Sequence, residues 1–174
     1  YWIRLLYCYP EEITPELIDC IKREPKICHY LDMPIQHASD RILKKMGRRT
    51  NQEELRERIA QIREAVPDIC LRTTLISGFP GETQEDFEEL YNFVDEMEFD
   101  RLGVFPYSQE EGTPAAEMPD QVPQEIKEAR RDELMELQQE IAFEKAESMK
   151  GRTILAMIEG KVEDENAYVA RTYM

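Results

Sequence analysis

Short apolar runs along the chain alternate with longer segments whose apolar positions recur every three or four residues. That alternation predicts strands exchanging with amphipathic helices. The clearest run spans residues 71–76, rich in Leu, Ile and Thr, and ends at Ser77-Gly78 before Phe79-Pro80-Gly81 leads into a helix. Thr83 followed three residues later by Asp86 has the spacing of a capping box, which fixes where that helix begins. Gly78 and Gly81 let backbone approach a ligand closely, and amides at a helix start suit polar ligand atoms. A tight strand-to-helix turn without a ligand would carry the same glycines.

The rest follows the same rhythm. Residues 2–9 read as a first strand, stopped by Pro10, and Thr14-Pro15 supplies an N-cap and first-turn proline for a helix over 14–23. Residues 27–35 form the second strand candidate, which delivers Gln36 and His37 just before Ser39, the expected cap of a helix over 40–46 that Gly47 ends. Leu55, Ile59, Ile62 and Val66 give the next helix one buried face, and Phe87, Leu90, Phe93, Val94 and Met97 do so for the helix after the central strand. A fourth strand covers 99–107, a loop 107–120, and a long helix runs from Pro123 to about Met149 with a seam of Ile126, Leu134, Leu137, Ile141 and Ala142. Two final strands, 152–162 and 167–173, flank a polar turn.

Strand and helix in alternation imply a parallel sheet with helical crossovers and ligands at the carboxyl ends of the strands. A closed eight-stranded barrel takes about 250 residues. The expected fold is therefore α/β, a partial (β/α) barrel holding the later strands only, whose earlier strands lie upstream. The expected divisions are 1–121 for the barrel part, 122–150 for the long helix and 151–174 for the start of a small β-domain.

Composition narrows the function. The 174 residues, 41% hydrophobic, support a core, and a net charge of −15 argues against a broad phosphate-binding surface and for a basic partner. Residues 151–174 hold three basic side chains against four acidic ones, a poor match to transfer RNA. No run approaches the roughly 18 apolar residues of a membrane span. Cys8, Cys20, Cys28 and Cys70 are scattered, without the close spacings of zinc or iron–sulfur ligands, so no metal site is expected on this chain and a reducing cytoplasmic setting is.

Parallel strands would gather Tyr9, Gln36 with His37, Ser77 with Gly78, and Tyr107 with Ser108 at one mouth. Arg72 lies on the central strand, and a buried arginine needs a partner: a ligand carboxylate or a neighbouring Asp or Glu. His37 reads either as a structural hydrogen bonder or as a site residue.

Three stretches, YLDMPIQHASDRILKKMGRRT, LRTTLISGFPGETQEDFEEL and FDRLGVFPYSQEEGTPAAEMPDQVP, closely resemble the methylthiotransferase family of radical S-adenosylmethionine (SAM) enzymes, RimO type. The family's transfer-RNA branch, the MiaB type, usually has Ser-Gly-Ser after the strand-end glutamine, where this sequence has His37-Ala38-Ser39, and the acidic Gln109-Glu110-Glu111-Gly112 also favours the ribosomal-protein branch. The resemblance implies a radical SAM partial barrel, a preceding domain with an auxiliary 4Fe-4S cluster, and a following TRAM β-barrel of which residues 151–174 are the start. It implies SAM and two 4Fe-4S clusters as cofactors. The implied reaction places a methylthio group on the β-carbon of an aspartate of small-subunit ribosomal protein twelve. The family's CxxxCxxC loop is not in this sequence, so the chain by itself is expected to be inactive. By resemblance, Gln36 and His37 face the SAM ribose, Leu75, Ser77, Gly78 and Phe79 pack near adenine, and Arg72 meets the SAM carboxylate. The superfamily's GxIxGxxE pattern puts its acid three residues after the second glycine, whereas Glu82 comes four after Gly78, so the resemblance assigns Glu82 no contact. A non-catalytic acidic domain that binds a basic protein is the alternative of another class.

Overall fold

The computed structural model describes residues 2–174. Four parallel strands, β1 (Ile3–Leu5), β2 (Ile27–Asp32), β3 (Cys70–Ser77) and β4 (Arg101–Pro106), make one sheet in the order β1-β2-β3-β4. Parallel neighbours need crossovers. These are supplied by α1 (Pro15–Arg23) between β1 and β2, by α2 (Asp40–Lys45) and α3 (Gln52–Ala65) between β2 and β3, and by α4 (Gln84–Met97) between β3 and β4. The short α5 (Pro114–Glu117) and the long α6 (Gln124–Ser148) follow, then an antiparallel hairpin of β5 (Met157–Lys161) and β6 (Tyr168–Arg171). The mixed α/β architecture with its four-stranded parallel sheet is that of a partial barrel. Among the described residues no helix is long and apolar enough to cross a membrane.

Side chains alternate across a strand. On β3 the buried set Leu71, Thr73, Leu75 and Ser77 faces the helices, while Arg72, Thr74 and Ile76 lie half-buried on the other face. The helix-side core joins Leu31, Ile59, Ile62, Leu75, Phe87, Leu90, Phe93 and Phe99, with Leu134, Leu137 and Ile141 from α6. Capping boxes start two helices, Asn51 with Glu54 on α3 and Thr83 with Asp86 on α4.

Two strands are shorter than their apolar runs suggest, β1 ending at Leu5 rather than at residue 9 and β5 beginning at Met157 rather than at residue 152, and four further local expectations change. First, β2 stops at Asp32 because Pro34 lacks an amide proton. The buried Thr73 hydroxyl replaces the ladder, donating to the Met33 carbonyl (2.9 Å) and accepting from the Ile35 amide (3.3 Å). Second, Ser39 does not cap α2, because its hydroxyl donates to Asp86 Oδ1 at 2.7 Å instead. Third, the loop after β4 contains α5, opened by Thr113, whose side chain accepts from the Ala116 amide, and by Pro114. Fourth, the seam of α6 begins with Lys127 and Arg130 and continues through Leu134, Leu137 and Ile141, whereas Ile126 is 42% exposed. The first turns of α6 lie over the β3 turn, where Arg130 pairs with the buried Glu82, while Lys127 Nζ donates to the Tyr107 carbonyl at 2.9 Å.

The C-terminal hairpin exposes every residue of both strands. Beyond it the chain returns to the sheet. Arg4 Nη2 donates to the Thr172 and Met174 carbonyls, each at 2.9 Å, and the Tyr173 hydroxyl donates to the Asp68 carbonyl at 3.0 Å.

Candidate functional site

The carboxyl ends of β1, β2 and β3 open on a cleft of about 720 Å³. Its apolar surface comes from Pro34, Met46, Ile76, Phe79, Pro114, Ala115 and Met118, and its polar surface from Tyr7, Tyr9, Gln36, Lys45, Arg48 and Thr113. Phe79 is held edge-on against Tyr107, with ring centroids 5.3 Å apart.

Gln36 enters the cleft from an unusual backbone. Its φ is +70°, a left-handed conformation that non-glycine residues seldom adopt. The surroundings enforce it: the Gln36 amide donates to the Thr74 carbonyl (3.0 Å) and its carbonyl accepts from the Ile76 amide (2.9 Å), so the segment bridges β3 beyond the end of β2. Strain of this kind collects at functional sites.

The glycine turn after β3 is held from behind. Gly78 has φ +70°, and a Cβ there would run into the buried Lys127 side chain. Its amide donates to both oxygens of Glu82, each at 3.0 Å. The same carboxylate, with no exposed surface, accepts from Arg130 Nη1 at 2.7 Å and from His37 Nε2 at 3.1 Å. Because His37 Nδ1 accepts the Ser39 amide (2.9 Å), the Nε2 position carries the proton donated to Glu82. One buried acid thus joins the loop after β2, the turn after β3 and helix α6.

A second acid locks the neighbouring helix starts. Asp86 accepts from the Ser39 hydroxyl (2.7 Å), the Thr83 amide (2.8 Å) and the Thr83 hydroxyl (2.9 Å), and pairs with Arg41. Burial alone would raise its carboxyl pKa. The hydrogen bonds from Arg41, Thr83 and Ser39 outweigh that and hold it well below the usual carboxylate range.

Of the residues expected at the mouth or the site, Tyr9, Gln36 and Phe79 line the cleft. The His37, Leu75 and Ser77 side chains are fully buried behind it, with the Ser77 hydroxyl donating to the Lys127 carbonyl at 2.9 Å, and Gly78 forms the supporting turn. Arg72 takes the duller of its two partners: Nη1 meets the buried Asp32 at 2.7 Å and the Thr74 hydroxyl at 3.3 Å. Sequence reasoning missed Tyr7, Lys45, Met46 and Arg48 on one wall and α5 on the other. Gly47 was the available signal. At φ +72° it ends α2 in a Schellman turn, with the Arg48 amide reaching back to the Leu43 carbonyl (2.9 Å), and this turn swings Arg48 toward the cleft.

The cysteines are all free, and among the described residues no three His, Cys, Asp or Glu side chains converge as metal ligands. Cys28 and Cys70 are buried beside Tyr30, and burial, reinforced by Asp100, pushes the Cys70 thiol up to about 12. These residues do not fit an iron–sulfur cluster.

The model of the radical SAM superfamily matches residues 2–94. The chain is 64% identical over 173 residues to the ribosomal protein uS12 methylthiotransferase RimO of Lachnoclostridium phytofermentans, covering 99% of this chain and 39% of the relative. To the proteins of the same name from Geobacter sulfurreducens and Clostridioides difficile it is 55% and 52% identical, covering 94% and 98% of this chain and 36% and 38% of theirs. The chain therefore spans about two-fifths of the length of these curated relatives. A solved structure of Methanocaldococcus infernus Elp3 with an N-terminal deletion superposes with a TM-score of 0.60 over 77% of this chain and 32% of that one, at 16% identity, which is a likeness of fold alone. With the family model spanning more than half of its residues, the chain belongs to the radical SAM superfamily.

Proposed function

We propose that the chain is the later part of the barrel, the long helix and the first TRAM strands of a RimO-type methylthiotransferase, which modifies an aspartate of ribosomal protein uS12 in the cytoplasm. The observation that carries this reading is the 64% identity to such an enzyme across 99% of the chain, the cleft included. The divisions proposed are 1–121, 122–150 and 151–174.

The cleft fits the nucleoside end of SAM. Its floor of Ile76 and Phe79 offers a flat apolar face for adenine, and the strained Gln36 presents an amide side chain at the edge where a ribose would lie. Tyr7 and Tyr9 line the β1 side, where both rings are exposed. When bound, SAM supplies the radical chemistry that activates an unactivated carbon, and this chain's part is to bind, orient and shield. His37 and Gly78 act from behind the floor, through Glu82, to hold Gln36 and Phe79 in place. The clusters that reduce SAM and donate sulfur would be held by residues outside this chain.

An acidic surface suits a basic ribosomal protein and speeds encounter at low salt. The test is to incubate the reconstituted full-length enzyme with SAM, a sulfur source and either uS12 or transfer RNA, then read both by mass spectrometry. A methylthio group on the uS12 aspartate is expected. Methylthiolated nucleoside with unmodified protein would assign the enzyme to the transfer-RNA branch instead.

A further inference from the structure

The face of the sheet turned away from the helices is built in three tiers. At the amino ends of the strands, Cys28, Tyr30 and Cys70 pack against Trp2, Tyr173 and Met174. At the carboxyl ends, Ile76 and Phe79 floor the cleft. Between these apolar tiers lies a charged one, in which Asp32 and Arg72 stand in register on β2 and β3 and form an ion pair. Asp32 is buried, and a buried pair of this kind adds little stability that well-packed apolar side chains would not supply. The tiers above and below show that apolar side chains suit this face.

The pair occupies only part of the Arg72 guanidinium. Nη1 serves both Asp32 Oδ1 (2.7 Å) and the Thr74 hydroxyl (3.3 Å), so the group leans toward the carboxyl ends of the strands. Nε and Nη2, the edge of the fork with two parallel N–H donors, make no hydrogen bond among the described residues, and the side chain is 32% exposed. Opposite that edge β4 carries a glycine. Nη2 lies 3.9 Å from where a Cβ on Gly103 would stand, and the edge of the exposed Phe105 ring lies 3.7 Å from the same point. The missing side chain leaves a gap with a cation on one side and an aromatic ring on the other. The row of register partners Asp32, Arg72 and Arg101 also carries one positive charge in excess, in a chain of net charge −15. Thr74 is two residues short of Ile76 on the same face, about 7 Å along the strand, so an acid held here lies within reach of the cleft.

We propose that the Nε–Nη2 edge of Arg72 receives the side-chain carboxylate of the substrate aspartate, with Asp32 holding the guanidinium in place and Gly103 leaving room. The inference rests on the reading of this chain as part of an aspartate-modifying enzyme. In an aspartate the carboxylate is bonded directly to the β-carbon, so fixing one places the other. The same contact rejects asparagine, whose NH2 group would meet an N–H donor.

The experiment uses reconstituted full-length enzyme, wild type and Arg72→Met, and uS12 with either aspartate or asparagine at the target position. Calorimetry with S-adenosylhomocysteine present gives the affinity for each uS12, and a separate titration gives the affinity for S-adenosylhomocysteine. Wild type should bind the aspartate form at least about tenfold more tightly than the asparagine form, the scale of one charge-assisted contact, and Arg72→Met should bind the two alike. Affinity for S-adenosylhomocysteine should be the same in both enzymes. Arg72→Met leaves the buried Asp32 unpaired, so Arg72→Met combined with Asp32→Asn is made alongside it and read by the same criteria, and the wild-type comparison stands without either variant. The proposal is overturned if wild type does not distinguish the two forms of uS12, if Arg72→Met still does, or if Arg72→Met weakens S-adenosylhomocysteine as much as uS12, which would give the contact to SAM instead. Wild-type enzyme that binds S-adenosylhomocysteine but not uS12 contradicts the substrate assignment itself, before any variant is considered, and the subsite falls with it.

Discussion

Replacing Glu82 by Gln should destabilise the protein far more than its near-identical shape suggests. The Glu82 carboxylate has no exposed surface and serves three donors: the Gly78 amide, His37 Nε2 and Arg130 Nη1. Glutamine has one acceptor oxygen, and its NH2 group would face one of those donors. The larger effect is on Arg130, whose side chain is 8% exposed and whose Nε already lacks a partner. Its charge would be left buried and unpaired. Removing one partner of a buried pair costs about 3–5 kcal/mol, and the isosteric change puts this case at the lower end, about 3 kcal/mol. For a chain of this size that corresponds to a fall in Tm of about 6–12 °C. Urea unfolding followed by far-UV circular dichroism measures it, with the slope checked for constancy. Adding Arg130→Met removes the stranded charge, so the double variant should lose at least about 1 kcal/mol less than the sum of the singles. A Glu82→Gln cost below about 1 kcal/mol, or strict additivity, would refute the idea that this acid staples the cleft floor together.

Two further expectations follow from the same structure. The folded-state Asp86 carboxyl titrates below its unfolded value near 3.9, so its contribution is present above that pH and is lost as pH falls. The urea midpoint should therefore drop more steeply between pH 5 and 3 in the wild type than in Asp86→Asn, and equal slopes would contradict the assignment. Cys70, with its thiol raised to about 12, should resist iodoacetamide at about pH 8 in the native protein and react once unfolded, as read by peptide mass spectrometry. Labelling at the same rate in both states would show that it is not buried as described.

Local signals in the sequence located most of the fold. The Thr83–Asp86 capping box and the Gly47 stop are written in neighbouring residues, and each marks its helix end to within a residue or two. What escaped was tertiary. Nothing near Glu82 announces that its partners are His37, 45 positions away, and Arg130, 48 positions away. The phase of α6 was misjudged for a related reason. Ile126 looks like the start of an apolar seam, but the buried positions at this end of the helix go to Arg130, which pairs with Glu82, and to Lys127, which reaches the Tyr107 carbonyl. At the site, Gln36 and Phe79 were legible as strand-end residues. Arg48 was not, because its approach depends on the left-handed turn of the glycine before it.

The most direct test of the account is the structure of the full-length enzyme with SAM bound. The account predicts the adenine against Ile76 and Phe79 and the ribose beside Gln36, in the cleft at the carboxyl ends of the strands. Adenosine bound anywhere else, with this cleft left empty, would contradict it.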